Sequence, residues 1–253
     1  MPKGQYTSLA KVYDALNEDF DYKKYADFLS RQIRKYEKTD TSLVLDLACG
    51  TGRITFELRE LGYDMTGVDF SENMLCEARE KCYEKNITDI LWLCQSMQSF
   101  ELYGTVDACV CTLDSINYLT DKNDLERCFL LVHNYLIPDG VFVFDINTPF
   151  KFENIYADNS YILENDGILC AWQNEYNARS KMCKFYLSIF VENEDGAYER
   201  SDEVQKERCY SKKQICSMLE KCGFEILDIN GDLDGKIAED TDEKWYFTVR
   251  NIK

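Results

Sequence analysis

The chain has 253 residues, 45% of them hydrophobic, enough to bury the core of one large α/β domain and a small appended subdomain. Its formal net charge of −17 repels phosphate backbones and anionic membranes, which argues against nucleic acid and membrane partners and leaves a small molecule, for example one bearing an amine, as the better fit. No stretch approaches the ~20 apolar residues of a membrane span; the start Met1–Gln5 does not read as a signal peptide, and the 12 cysteines, without a C-x-x-C pair and beside a single histidine, His133, read as reduced thiols of a cytoplasmic protein with no metal site.

In chain order, Tyr6 to Leu16 contains the pair Tyr13-Asp14. An amphipathic helix follows, with Tyr22, Tyr25, Ala26, Leu29 and Ile33 on one face, as in a helix packed at a sheet edge. From Ser42 to Phe56 the chain reads S-L-V-L-D-L-A-C-G-T-G-R-I-T-F. Leu43, Val44, Leu45 and Leu47 predict a strand buried on both faces. Gly50 and Gly52 predict a tight turn whose backbone can approach a ligand. Ile54, Phe56, Leu58 and Leu61 predict a short helix packed back on the sheet. A strand, a glycine turn and a helix N-terminus make a cofactor cradle. A dinucleotide fingerprint wants a third small residue where Thr55 stands. Here Asp46 ends the strand instead, a carboxylate that repels pyrophosphate and suits a cation.

The string Val44 to Gly52 resembles the first motif of the class I S-adenosylmethionine-dependent methyltransferases. Their cofactor, S-adenosyl-L-methionine, carries a sulfonium, an ammonium and a carboxylate. The resemblance implies that Ala48, Cys49, Gly50 and Gly52 hold the methionine part beside Asp46, and that the segment bearing Tyr13 closes over it. An ordinary strand-turn-helix crossover is the alternative.

The next strand, Asp64 to Asp69, is followed by Phe70 and by Ser71, which can cap the helix Glu72 to Tyr83. Asp69 lies ~20 residues past the glycine turn, the offset at which doubly wound folds hold ribose hydroxyls. The family's second motif places its ribose-binding acid there; a helix-capping acid is the plainer reading. Met74 faces inward, toward core or cofactor. Ile90 to Cys94 predicts a third buried strand. After it, the resemblance implies an adenine contact at Ser96, where relatives commonly carry aspartate, and an apolar wall at Met97.

Val106 to Leu113 is the fourth strand, and Asp114-Ser115-Ile116-Asn117-Tyr118 lies at its C-terminal end, where open parallel sheets bind ligands. Leu113 then borders the cofactor. Asp114, Asn117 and Tyr118 offer a carboxylate, an amide and an aromatic wall to the acceptor, and Asp114 could orient an amine and take its proton. Capping of the next helix is the alternative. That helix, Asp124 to Leu136, ends at Pro138-Asp139-Gly140, before a fifth strand from Val141 to Ile146.

Residues 161–163, 168–176, 184–191 and 198–204 alternate as antiparallel strands do. Their Trp172, Tyr176, Phe185 and Tyr186 are pocket walls or ordinary sheet core. A helix from Ser211 to Lys221 stops at Gly223, and Phe224 to Ile229 pairs antiparallel with Trp245 to Val249. The acidic stretch 231–243 between them reads as a solvated loop.

The expected fold is α/β, a Rossmann-like doubly wound, mostly parallel seven-stranded sheet in the order 3-2-1-4-5-7-6. It is built from residues 1–150 and 205–253, with a small antiparallel β insertion at 151–204 as substrate lid. The resemblance is closest to the small-molecule branch with glycine and sugar-amine N-methyltransferases. It implies methyl transfer to a small-molecule acceptor, an amine or a hydroxyl. A non-catalytic cofactor-binding protein and a nucleotide-dependent oxidoreductase are the rivals, and a homodimer stays open.

Overall fold

A computed structural model describes residues 9–253; Met1–Gln5 and Tyr6 of the expectations above lie outside the described residues. Strands β1 (Leu43–Leu47), β2 (Asp64–Asp69), β3 (Leu91–Cys94), β4 (Val106–Cys111) and β5 (Leu136–Asn147) run parallel. The last two, β10 (Phe224–Asn230) and β11 (Lys244–Asn251), join antiparallel. The seven-stranded order β10-β11-β5-β4-β1-β2-β3 is the predicted one. Between β5 and β10 lies a separate antiparallel sheet of β6 (Ser160–Asn165), β7 (Ile168–Asn177), β8 (Met182–Glu192) and β9 (Tyr198–Arg208).

Strand alternation divides the main sheet's side chains between two cores. Val44, Val110 and Val143 pack under α2 (Tyr22–Tyr36) and α3 (Arg53–Glu60). Leu45, Cys109, Phe142 and Phe144 pack under α5 (Lys122–Tyr135) and α6 (Lys212–Lys221). The capping chemistry is where the sequence puts it: Ser71 caps α4 (Glu72–Glu84), and Ser211 with Gln214 forms a capping box on α6. All 12 cysteines are free.

Four expectations are corrected. The segment carrying Tyr13 is itself a helix, α1 (Leu9–Leu16). Strand β3 is an edge strand rather than a buried one, with Leu91 50% exposed, because β2 is its sole neighbour in the sheet. Strand β5 begins at Leu136, directly off α5, and runs through Pro138; a register shift against β4 between Val106 and Ala108 absorbs the irregularity. The 231–243 stretch is pinned as well as solvated: Arg31 Nη2 donates to the Leu233 carbonyl (2.6 Å) and Trp245 Nε1 to that of Glu239 (2.8 Å).

The second sheet packs its inner face, Cys183, Phe185, Leu187 and Ile189, against Leu9 and Val12 of α1 and against Phe152 and Tyr156. Strand β9 departs from this pattern, because its inward residues are Glu203, Gln205 and Glu207, all buried. Asn117 ties the two sheets together. Its Nδ2 donates to the Arg208 carbonyl (2.9 Å), and its Oδ1 accepts the Asn147 N–H (2.9 Å). Asn117→Ala strands both buried backbone groups and should lower unfolding free energy by roughly 2–3 kcal/mol, read as a shift of the urea midpoint.

Candidate active site

The glycine loop leaves β1 through left-handed backbone at Ala48 (φ 62°), Gly50 (φ 55°) and Gly52 (φ 80°). The two glycines do different work. A Cβ on Gly52 would meet Trp92 at 2.6 Å, so this residue is small for packing. A Cβ on Gly50 would meet nothing within 4 Å and would project into open space, so this residue keeps room for a ligand. The Gly50 N–H donates to Asp69 Oδ2 (2.9 Å), and the Ser71 N–H to Asp69 Oδ1 (2.8 Å). Burial raises the Asp69 carboxyl to about 6 against the pull of those N–H groups. Asp46 sits behind the loop. Its Oδ2 accepts from Thr55 Oγ1 (2.6 Å) while Oδ1 is buried without a partner. Burial raises its carboxyl to about 7; the Thr55 bond opposes the rise and the Asp69 charge adds to it.

In front of the loop lies a cavity enclosing about 710 Å³ of empty space. It brings together Tyr13, Ala48, Cys49, Gly50, Asp69, Phe70, Met74, Met97, Leu113 and Tyr118. Asp46, Gly52, Ser96 and Asn117 do not line it; Ser96 Oγ donates instead to Gln98 Oε1 (2.5 Å). A second cavity, of about 970 Å³, shares Tyr13, Leu113 and Tyr118 with the first. Its walls include Phe20, Tyr156, Trp172 and Phe185, and its polar groups include Asp114, Gln205, Glu207 and Lys244. Trp172 and Phe185 are therefore wall and sheet core at once. Tyr176 stacks on Phe152 (5.9 Å), and Tyr186 lies outside, donating to Glu175 (2.7 Å).

Helix α1 roofs both cavities through Tyr13. Asp14 fastens it to the glycine loop by accepting from Thr51 Oγ1 (2.6 Å) and pairing with Lys81. At its other end the Leu9 N–H donates to Glu203 Oε1 on β9 (2.9 Å).

The deep end of the second cavity is an acid cluster around one cation. Lys244 Nζ donates to Asp114 Oδ1 and to Asp145 Oδ2, each at 2.6 Å, and Tyr25 OH donates to Asp145 Oδ1. Leu113 and Asp114 both hold left-handed backbone (φ 55° and 56°), a strained pair at the mouth of β4. Burial pushes the Asp114 carboxyl up, but Lys244, then Lys151, outweigh it and hold it below the usual carboxylate range. Burial, then the Asp114 charge, drives Glu207 well above its ordinary value. Glu207 is thus the more basic member of the pair. Sequence reasoning missed Glu207 and Gln205. Their signal was the run Glu203-Val204-Gln205-Lys206-Glu207, which puts polar groups on the face that a lid strand would turn to its core.

Residues 44–140 match a family described as a methyltransferase domain. A solved S-adenosylmethionine-dependent methyltransferase from Clostridium acetobutylicum superposes with a TM-score of 0.88 at 31% identity, covering 98% of this chain and 99% of that one. A putative methyltransferase of Bacillus subtilis is 31% identical over 98% of both chains. The glycine/sarcosine N-methyltransferase of Halorhodospira halochloris is 28% identical over 87% of this chain and 78% of its own. S-adenosylmethionine suits the first cavity: Gly50 leaves room for it, Asp69 lines its acidic side with Asp46 buried behind the loop, and Phe70, Met74 and Met97 supply apolar wall.

Two outcomes follow from the loop. Gly50→Ala should keep the fold, at a cost of about 1 kcal/mol for left-handed alanine, while weakening S-adenosylhomocysteine binding about tenfold or more by calorimetry. Asp46, whose folded value is raised, contributes stability below the ordinary carboxylate range that is lost as pH climbs through about 7. The ligand-free protein should therefore lose stability relative to Asp46→Asn between about pH 4 and about pH 7, by ~4 kcal/mol at most, in paired melting curves.

Proposed function

The chain belongs to the class I S-adenosylmethionine-dependent methyltransferases, and from that premise we propose that it methylates the nitrogen of a small-molecule amine. The observation that carries this reading is the second cavity, which meets the first at Tyr13, Leu113 and Tyr118 and holds the Asp114–Glu207 pair among aromatic walls. The glycine/sarcosine N-methyltransferase among its relatives points the same way.

In this reading Gly50 and its neighbours hold the methionine part of the cofactor, Asp69 takes the ribose hydroxyls, and Phe70, Met74 and Met97 flank the adenine. Bound S-adenosylmethionine supplies an electrophilic methyl, whose carbon–sulfur bond breaks as the amine lone pair forms the new bond. The remaining tasks fall to the chain. Tyr13, Leu113 and Tyr118 line the neck and hold the amine in line with the methyl. Tyr156, Trp172 and Phe185 exclude water and favour a cationic nitrogen. Glu207, the more basic member of the pair, receives in its ionised form the proton that nitrogen releases. Asp114, engaged by Lys244, anchors the pair more than it acts as a base. The inserted strands, 151–204 with the rest of β9, act as substrate lid, and the reaction takes place in the cytoplasm on small metabolites.

The test is transfer of labelled methyl from S-adenosylmethionine to a panel of amines and alcohols. Amines should carry the label; a panel in which alcohols alone accept it would sink the nitrogen assignment. Glu207→Gln should lower kcat on the order of 10²-fold, with S-adenosylhomocysteine affinity unchanged.

A further inference from the structure

Two donors in the second cavity stand without acceptors. Trp172 Nε1 and Gln205 Nε2 are buried, and neither has a hydrogen-bond partner. The other tryptophans are satisfied: Trp245 Nε1 donates to the Glu239 carbonyl, and Trp92 Nε1 to Cys82 Sγ. Gln205 Oε1 is engaged by Tyr118 OH (2.8 Å), which commits the carbonyl end of that amide and leaves its NH₂ end. The two donors belong to neighbouring rows of one sheet face, since Trp172 pairs with Leu187 and Leu187 with Glu203, while Asn174 pairs with Phe185 and Phe185 with Gln205. Tyr156 and Phe185 flank Trp172.

A buried N–H that has lost water and found no acceptor is unfavourable, and a ligand oxygen that pairs with it removes that penalty. A site built from such donors also rejects analogues that lack the oxygen. The ligand oxygen should be uncharged. The cavity already buries the Asp114 carboxylate and Glu207 around a single lining cation, Lys244, whose Nζ is held by Asp114 and Asp145. A further carboxylate would have to share Lys151, whose charge already acts on Asp114 and Glu207.

We propose that Trp172 and Gln205 form a donor subsite that selects amines bearing a neutral carbonyl oxygen, such as an amino amide, over plain alkyl- or arylamines. This rests on the amine reading above, and the probes separate the two. Protein labelled with nitrogen-15 and saturated with S-adenosylhomocysteine is titrated with L-phenylalaninamide, 2-phenylethylamine, 3-phenylpropionamide and L-phenylalanine. The Trp172 indole N–H resonance, assigned by its loss in Trp172→Phe, is followed throughout. Phenylalaninamide should bind about tenfold more tightly than phenylethylamine or phenylalanine and move that resonance downfield. Gln205→Leu and Trp172→Phe should each bring the two amines to within about twofold of one another, with melting temperatures reporting that the variants are folded.

Equal binding of the two amines, an advantage that survives in both variants, tighter binding of phenylalanine, or an indole resonance that none of the four moves would each overturn the subsite. Methylation of both amines alike with an unmoved indole would overturn it and leave the amine reading standing. Movement by 3-phenylpropionamide, with neither amine bound, would support the subsite and overturn the amine reading.

Discussion

The second cavity depends on a buried lysine. Lys244 reaches from the first residue of β11 to Asp114 at the end of β4 and to Asp145 inside β5, and Asp145 in turn holds Tyr25 of α2. Taking a lysine out of water is costly, and two carboxylates at short range offset that cost. The arrangement fixes where the strained Leu113–Asp114 turn sits and so where the neck between the cavities opens. It also sets the two acids apart: Lys244 pulls the Asp114 carboxyl down, while burial and the Asp114 charge push Glu207 up. Without Lys244, Asp114 and Asp145 would be left buried beside each other with only the more distant charge of Lys151 to offset them.

Around that seam the protein is assembled as a cradle and a roof. The main sheet supplies the cradle, with the glycine loop at the C-terminal end of β1 and Asp69 at that of β2. Helix α1 and the second sheet supply the roof. Asp14 ties α1 to the loop, Glu203 ties α1 to β9, and Asn117 ties β9 to β5. These ties are short and mostly buried, so the roof is registered to the cradle by hydrogen bonds as well as by apolar contact.

Several unfavourable features lie at the cavities or directly behind them. Two consecutive left-handed residues without glycine, a half-satisfied Asp46 and two unpaired donors would each lower stability anywhere else. Folded chains keep such features where a ligand makes use of them. Asp46 is the plainest example: an acid in an apolar interior, with one oxygen committed to Thr55 and the other free.

The sequence by itself determined the order of elements, the seven-stranded topology, the cradle and the family. Each of these rests on local spacing: an apolar run, a glycine turn, an acid at a set offset, a serine before a helix. Which glycine faces open space, that Asp46 stands behind the loop, that Asn117 is a staple and that Glu207 and Gln205 line the second cavity were decided in three dimensions. Those facts depend on side chains from segments some 90 residues apart, such as Asn117 with Arg208 and Tyr118 with Gln205. Their pairing is set by the register of one sheet against another, and register between sheets leaves no local pattern in a single chain to read.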